Sequence, residues 1–176
     1  MLDILQNMVN ELNTTNSTND KIEILKKYPQ CKELLKYVYS PFIQFGVTSE
    51  QLSKRQDLCE EVDFDSSSIV ELLDLLKDEM ITGNKAVSVV NGFIKKYGYQ
   101  DLIYNIIDKN LKTRTDSSTI NKAFPKLIPT FDVALAYNYE DHKTKVKWED
   151  GWYCSCKIDG VRTIIIKKGD DVKALS

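Results

Sequence analysis

The sequence has one histidine, His142, and four cysteines, none of them in a CxxC pair. A structural zinc site needs paired cysteines or histidines at ligand spacing, so a fold organised around zinc is excluded. Cys31 and Cys59 stand alone, while Cys154 and Cys156 alternate along an expected strand. All four read as reduced thiols packed as small hydrophobes. His142 lies in a polar loop with no partner in sight and is assigned no role. There is no surplus of positive charge. The formal net charge of −2 excludes a uniformly basic coat but leaves room for a local basic face. No apolar run approaches the roughly 18 residues that span a bilayer. The N-terminus, MLDILQNMVNELN, lacks the basic lead-in and small-residue cleavage site of a signal peptide. The chain is therefore expected to be soluble, not secreted and not membrane-bound. There are no internal repeats, and the polar loop NTTNSTN is the only low-complexity tract.

With 42% of its 176 residues hydrophobic, the chain can bury a core, as one domain or two small ones. The first two-thirds read as helices. Met1 to Leu12 forms the first. Ser17 or Asn19 caps a second from Asp20 to Tyr28, stopped by Pro29, and a third runs from Cys31 to Tyr39. In SSSIVELLDLLKDEM, Ser68 and Glu71 have capping-box spacing, and Ile69, Leu72, Leu73, Leu76 and Met80 share one stripe. The stretch GNKAVSVVNGFIKKYG repeats the pattern with Ala86, Val89, Val90, Phe93 and Tyr97, ending at Gly98. Two more helices are expected, Asp101 to Leu111 and Ser118 to Phe124, the latter capped by Asp116 or Ser117. After Pro129 the period changes from helical to two: KVKWEDGWYCSCK and VRTIIIKKGDDVKAL read as strands with turns at Glu149-Asp150-Gly151 and Lys168-Gly169-Asp170. The expected fold class is α+β, with a helical domain over 1–129 and the start of an antiparallel-sheet domain over 132–176. Two strands do not make a stable domain, so the chain reads as truncated.

The stretch CKIDGVR carries the strongest chemical signal. Lys157 ends a strand, Asp159-Gly160 is a turn dipeptide, and the chain reverses into Arg162, so two cations come near each other. They repel unless an anion lies between them. A polyphosphate would supply one, and the crowding would lower the lysine pKa toward the free amine that attacks phosphorus. The plainer reading is a surface hairpin with solvated charges. Lys-x-Asp-Gly-x-Arg, however, resembles the signature of the covalent nucleotidyltransferases: ATP-dependent DNA ligases, RNA ligases and mRNA-capping guanylyltransferases. Upstream, MITGNKAVSVVNGFI and LKTRTDSSTINKAFPKLIPTF resemble the helical DNA-binding domain of ATP-dependent DNA ligases, closest to the compact T-even bacteriophage type. The resemblance spans nearly the whole chain.

That resemblance implies roles by position. Lys157 is the adenylated nucleophile, and Arg162 contacts the nucleotide and orients a 5′-phosphate. Asp159 and Gly160 shape the turn. Ser155 stands where the family more often has a glutamate or glutamine that reads adenine. Thr113-Arg114-Thr115 replaces a glycine-containing turn, so Arg114 is expected to stand in for a backbone-amide contact to phosphate. ATP and Mg²⁺ are the implied cofactors, and the family's metal ligands would lie beyond Ser176. The implied partner is nicked double-stranded DNA, bound by a monomer in the cytoplasm of a cell or of a phage's host, in replication, repair or recombination. A sequence-blind binder needs phosphate contacts, for which the candidates are Thr82, Gly83, Asn84 and Lys85 at one helix start and Lys112, Arg114, Ser117 and Ser118 at another. The acidic stretch from Glu60 to Asp65 is expected to face away from DNA, and Tyr137, Tyr139 and Trp152 to pack in a core or between domains. Two rivals remain: an RNA ligase or capping enzyme, against which the long helical module weighs, and a module that only binds DNA.

Overall fold

In a computed structural model of the chain, residues 1–62, 69–130, 137–153, 156, 160 and 163–175 are described. The chain divides into two compact units, Met1–Thr130 and Phe131–Ser176. The first is built from eight helices among its described residues. Helix α1 (Leu2–Leu12) buries Leu2, Leu5, Met8, Val9 and Leu12, the stripe that a 3.6-residue period puts on one face. Helix α2 (Thr18–Lys27) starts where Ser17 Oγ accepts the Asp20 N–H, and α3 (Lys32–Tyr39) follows a 3₁₀ turn at Pro29–Cys31. Helix α4 (Ser49–Lys54) was not expected. Thr48 and Gln51 form a reciprocal capping box there, a signal present in the sequence that a helix of six residues left too short to register.

Helix α5 (Ile69–Lys77) buries Ile69, Leu72, Leu73 and Leu76 as the stripe predicts. It stops at Lys77, however, and Glu79 turns the backbone left-handed (φ 54°). Met80 therefore leaves the stripe and stands 72% exposed, not in the core. The expected cap at Ser68 lies outside the described residues. Helix α6 (Gly83–Tyr97) ends at Gly98, whose φ of 78° suits a residue without Cβ. Helix α7 (Gln100–Ile107) is shorter than expected, because Lys109 turns left-handed and ends the run before Leu111. Helix α8 (Ser117–Ala123) is capped by Asp116. The core is shared: α1 packs on α2, α2 on α8, α3 on α5 and α7, and α4 on α6 and α7. At one crossing the backbone touches α6 directly. A Cβ on Gly92 would meet the Glu60 carbonyl oxygen at 1.8 Å, so only glycine lets the 55–62 segment lie there. Beside it, Asn91 Nδ2 donates to the carbonyls of Leu52, Arg55 and Leu58 and ties the end of α4 to the same helix.

Among its described residues, the second unit has a short helix, α9 (Tyr139–His142), two 3₁₀ turns at Lys143–Lys145 and Trp148–Asp150, and a hairpin of β1 (Ile164–Lys168) and β2 (Asp171–Leu175). The strands pair antiparallel from Ile164 opposite Leu175 to Lys168 opposite Asp171, around Gly169 at φ 63°. The turn expected at Lys168-Gly169-Asp170 is thus present. The strand expected over KVKWEDGWYCSCK is not, among its described residues: 3₁₀ turns replace it through Asp150. Nor are the aromatics buried. Tyr137, Tyr139, Trp148, Trp152 and Tyr153 are exposed, Trp148 and Trp152 leaning together at 5.6 Å between ring centres. His142 stacks on Tyr137 at 4.7 Å. The molecule is mostly helical, and no described helix is long and apolar enough to cross a membrane.

Candidate functional site

The candidate residues of the helical unit fall on two elements. The first is the loop from Asp108 to Asp116, between α7 and α8. Lys109, Lys112 and Arg114 all have left-handed backbones, with φ of 57°, 57° and 52°. Each such residue with a side chain costs on the order of 1 kcal/mol unless its surroundings hold it there. Two lysines reach in to hold this loop and its neighbour. Lys21, on α2, is only 4% exposed, and its Nζ donates to the Thr113 carbonyl at 2.7 Å and the Arg114 carbonyl at 3.0 Å. Lys109 Nζ donates to the carbonyls of Ser40 and Ile43, and burial pushes its pKa below the usual lysine value. A buried ammonium is costly without such acceptors, so both are committed to backbone oxygens.

With the carbonyls of 113 and 114 turned toward Lys21, their trans peptides point the N–H groups of Arg114 and Thr115 the other way. The Arg114 side chain is exposed, and its Nη1 donates to Asn16 Oδ1 at 3.0 Å, just ahead of the α2 cap. Lys112 is also exposed. Ser117 and Ser118 open α8, but Asp116 Oδ1 accepts the Thr119 N–H at 2.8 Å. The side chain and backbone N–H of Thr119 hold the Asp116 carboxyl below its usual range. A carboxylate at that helix start competes with phosphate for the same donors, so it weakens the case for Ser117 and Ser118 as an anion seat. Past α8, Asn121 both donates to the Ile128 carbonyl and accepts the Ile128 N–H, each at 2.9 Å, which fixes the FPKLIP exit. Lys32 sits over the Phe124 ring at 4.7 Å.

The second element is the start of α6. Thr82, Gly83, Asn84 and Lys85 are all exposed. Gly83 has a φ of 55°, which a Cβ would strain, and the Thr82 side chain makes no cap bond. Lys85 is not a free cation: its Nζ lies 2.5 Å from Glu60 Oε2. Here two expectations collide. Glu60, placed away from DNA by the sequence reading, pairs with a lysine placed on it.

Lys157, Arg162, Ser155 and Asp159 lie outside the described residues. Gly160 is described and exposed. Sequence reasoning missed Lys21 and Asn16. Lys21 had a signal: it shares the buried stripe of α2 with Ile24 and Leu25, at i, i+3 and i+4, where a lysine must have an internal partner. Asn16 had none.

No family model matches the sequence. The DNA ligases of Enterobacteria phages T4 and T6 are each 26% identical to it over 178 aligned residues, covering 96% of this chain and 36% of theirs. The chain thus spans about a third of the length of the curated relatives it matches. A solved structure named Pmar-Lig_PreS3 has the same fold at a TM-score of 0.61 and 20% identity, over 97% of this chain and 41% of that one. The chain is similar, along nearly its whole length, to part of the T-even bacteriophage DNA ligases, as the residues at 157–162 and the helical segments before them imply.

Proposed function

We propose that this chain belongs to an ATP-dependent DNA ligase that seals nicks in duplex DNA, its helical unit over 1–129 holding the duplex and its segment over 132–176 beginning the adenylation domain. The observation that carries the reading is the coincidence of Lys-x-Asp-Gly-x-Arg at 157–162 with similarity to phage DNA ligases over 96% of the chain. In this reading Lys157 Nζ attacks the α-phosphate of ATP. A P–N bond forms and the P–O bond to pyrophosphate breaks. The 5′-phosphate at the nick then takes the AMP, and the 3′-hydroxyl displaces AMP to close the strand. Such chemistry asks for positioning and charge neutralisation. Arg162 supplies a planar cation suited to phosphate oxygens, Asp159 and Gly160 the turn, and Ser155 the side chain facing adenine. Mg²⁺ would accompany ATP as its counter-charge. Among the described residues no cluster of three carboxylate, cysteine or histidine side chains could hold a metal. The proposed phosphate contacts are Thr82, Gly83, Asn84, Lys112 and Arg114, with Lys85 in competition with its Glu60 partner and Ser117 and Ser118 in competition with the Asp116 carboxylate.

The test is transfer of radiolabelled AMP from ATP onto the full-length protein. Label on the wild type and none on Lys157→Ala supports the assignment. Label persisting on Lys157→Ala refutes it, and label taken from GTP in preference to ATP points to a capping enzyme.

A further inference from the structure

The Arg114 loop is built against the beginning of α2, and that contact deepens the reading proposed above, on which it rests. The geometry points to Lys21 and Asn16 as positioning residues that fix the Arg114 guanidinium and the amides of Arg114 and Thr115 for a DNA phosphate. Three observations converge. Lys21 is buried to 4% exposure with its ammonium on the carbonyls of Thr113 and Arg114, more than 90 residues away in the chain. Arg114 keeps a left-handed backbone, which glycine adopts freely and arginine does not. Its guanidinium is oriented from the other side by Asn16 Oδ1. The lysine charge pulls two carbonyl oxygens inward, so the strained backbone becomes the stable one and the attached N–H groups face outward. Without the ammonium, Arg114 relaxes to an ordinary φ, and its side chain and the two amides lose their common direction.

The experiment measures binding of the full-length protein to a nicked duplex carrying a 5′-phosphate, as a function of salt, alongside thermal melting. Lys21→Met keeps the apolar stem and removes the charge. We expect the Kd to rise about tenfold and the slope of log K against log salt to shrink by about one unit, the signature of one lost phosphate contact. Asn16→Ala, at the surface, should raise Kd by about threefold with no change in melting temperature. In an Arg114→Gly background, which has no guanidinium to orient, Asn16→Ala should weaken binding no further. If Lys21→Met only lowers the melting temperature, leaving the Kd and salt slope of the folded protein unchanged, the positioning role is overturned and the ligase reading stands. If Lys21→Met does not fold, Asn16→Ala decides alone: an unchanged Kd overturns the inference. If the wild type does not bind the nicked duplex, the ligase reading itself fails.

Discussion

At the scale of single residues, several buried and half-buried polar side chains of the helical unit end on backbone carbonyls. Lys21, Lys109, Asn91 and Asn121 all end on carbonyls of loops, which is how a chain with few turn glycines keeps irregular segments satisfied inside a helical core. Asp116 works the other way, accepting at the start of α8, and its effect depends on pH. Its folded pKa lies below the unfolded value of 3.8, so the stability it contributes is complete above that value. As the pH falls through the lower folded pKa, the carboxylate is protonated and the contribution disappears. Asp116→Ala should therefore cost about 1 kcal/mol at neutral pH, a shift of a few degrees in melting temperature. The gap between wild type and variant should close below pH 3.8 and vanish once the folded carboxyl has titrated. A gap that stays constant down to acid would mean that the cap contributes no charge-dependent stability.

At the scale of elements, helices with a regular stripe or a clear cap and stop, down to the seven residues of α8, were legible, and α4 and the left-handed ends of α5 and α7 were not. In α1, α5 and α6 the buried faces coincide with the apolar stripes, because eleven, nine and fifteen residues give the 3.6 period room to repeat. Helix α4 was invisible at six residues, its position set by tertiary bonds such as Ser49 N–H to Asp108 Oδ1 at 2.9 Å. The early end of α7 and the escape of Met80 share another cause: lysine and glutamate in left-handed conformations, which no composition rule anticipates. Of the candidate site, the residue types were legible and their pairings were not. Lys85 looks like a free cation in GNKAVS, yet Glu60 pairs with it across 25 positions, its own backbone lying against α6 at Gly92. That pairing has a consequence for binding. Exposed ion pairs contribute little to stability, so Glu60→Gln should leave the melting temperature within about a degree. If Lys85 meets phosphate, removing its competitor should tighten binding to nicked duplex by about two- to fivefold at low salt, with the gain fading as salt screens it. An unchanged affinity at low salt would take Lys85 off the interface.

At the scale of the whole molecule, apolar burial is divided very unevenly. Among the described residues, the buried hydrophobic ones run from Leu2 to Ile128, inside the first unit. The described residues of the second unit instead hold Tyr137, Tyr139, Trp148, Trp152, Tyr153, Ile165 and Val172 at the surface, around a two-stranded hairpin. Two strands alone are marginal in water, whereas a helical core with Phe93 and ten or more leucine, isoleucine and methionine side chains fully buried supports cooperative unfolding. The period-two pattern after Pro129 was legible as β-forming texture, but a strand needs partners on its face and edge, and KVKWEDGWY has none among the described residues. The buried core of the described residues therefore lies within 1–130. Expressed alone, 1–130 should unfold in one transition by circular dichroism at 222 nm, within about three degrees of the longer chain. A fragment that melts broadly, or well below the longer chain, would mean that residues 131–176 contribute to its stability.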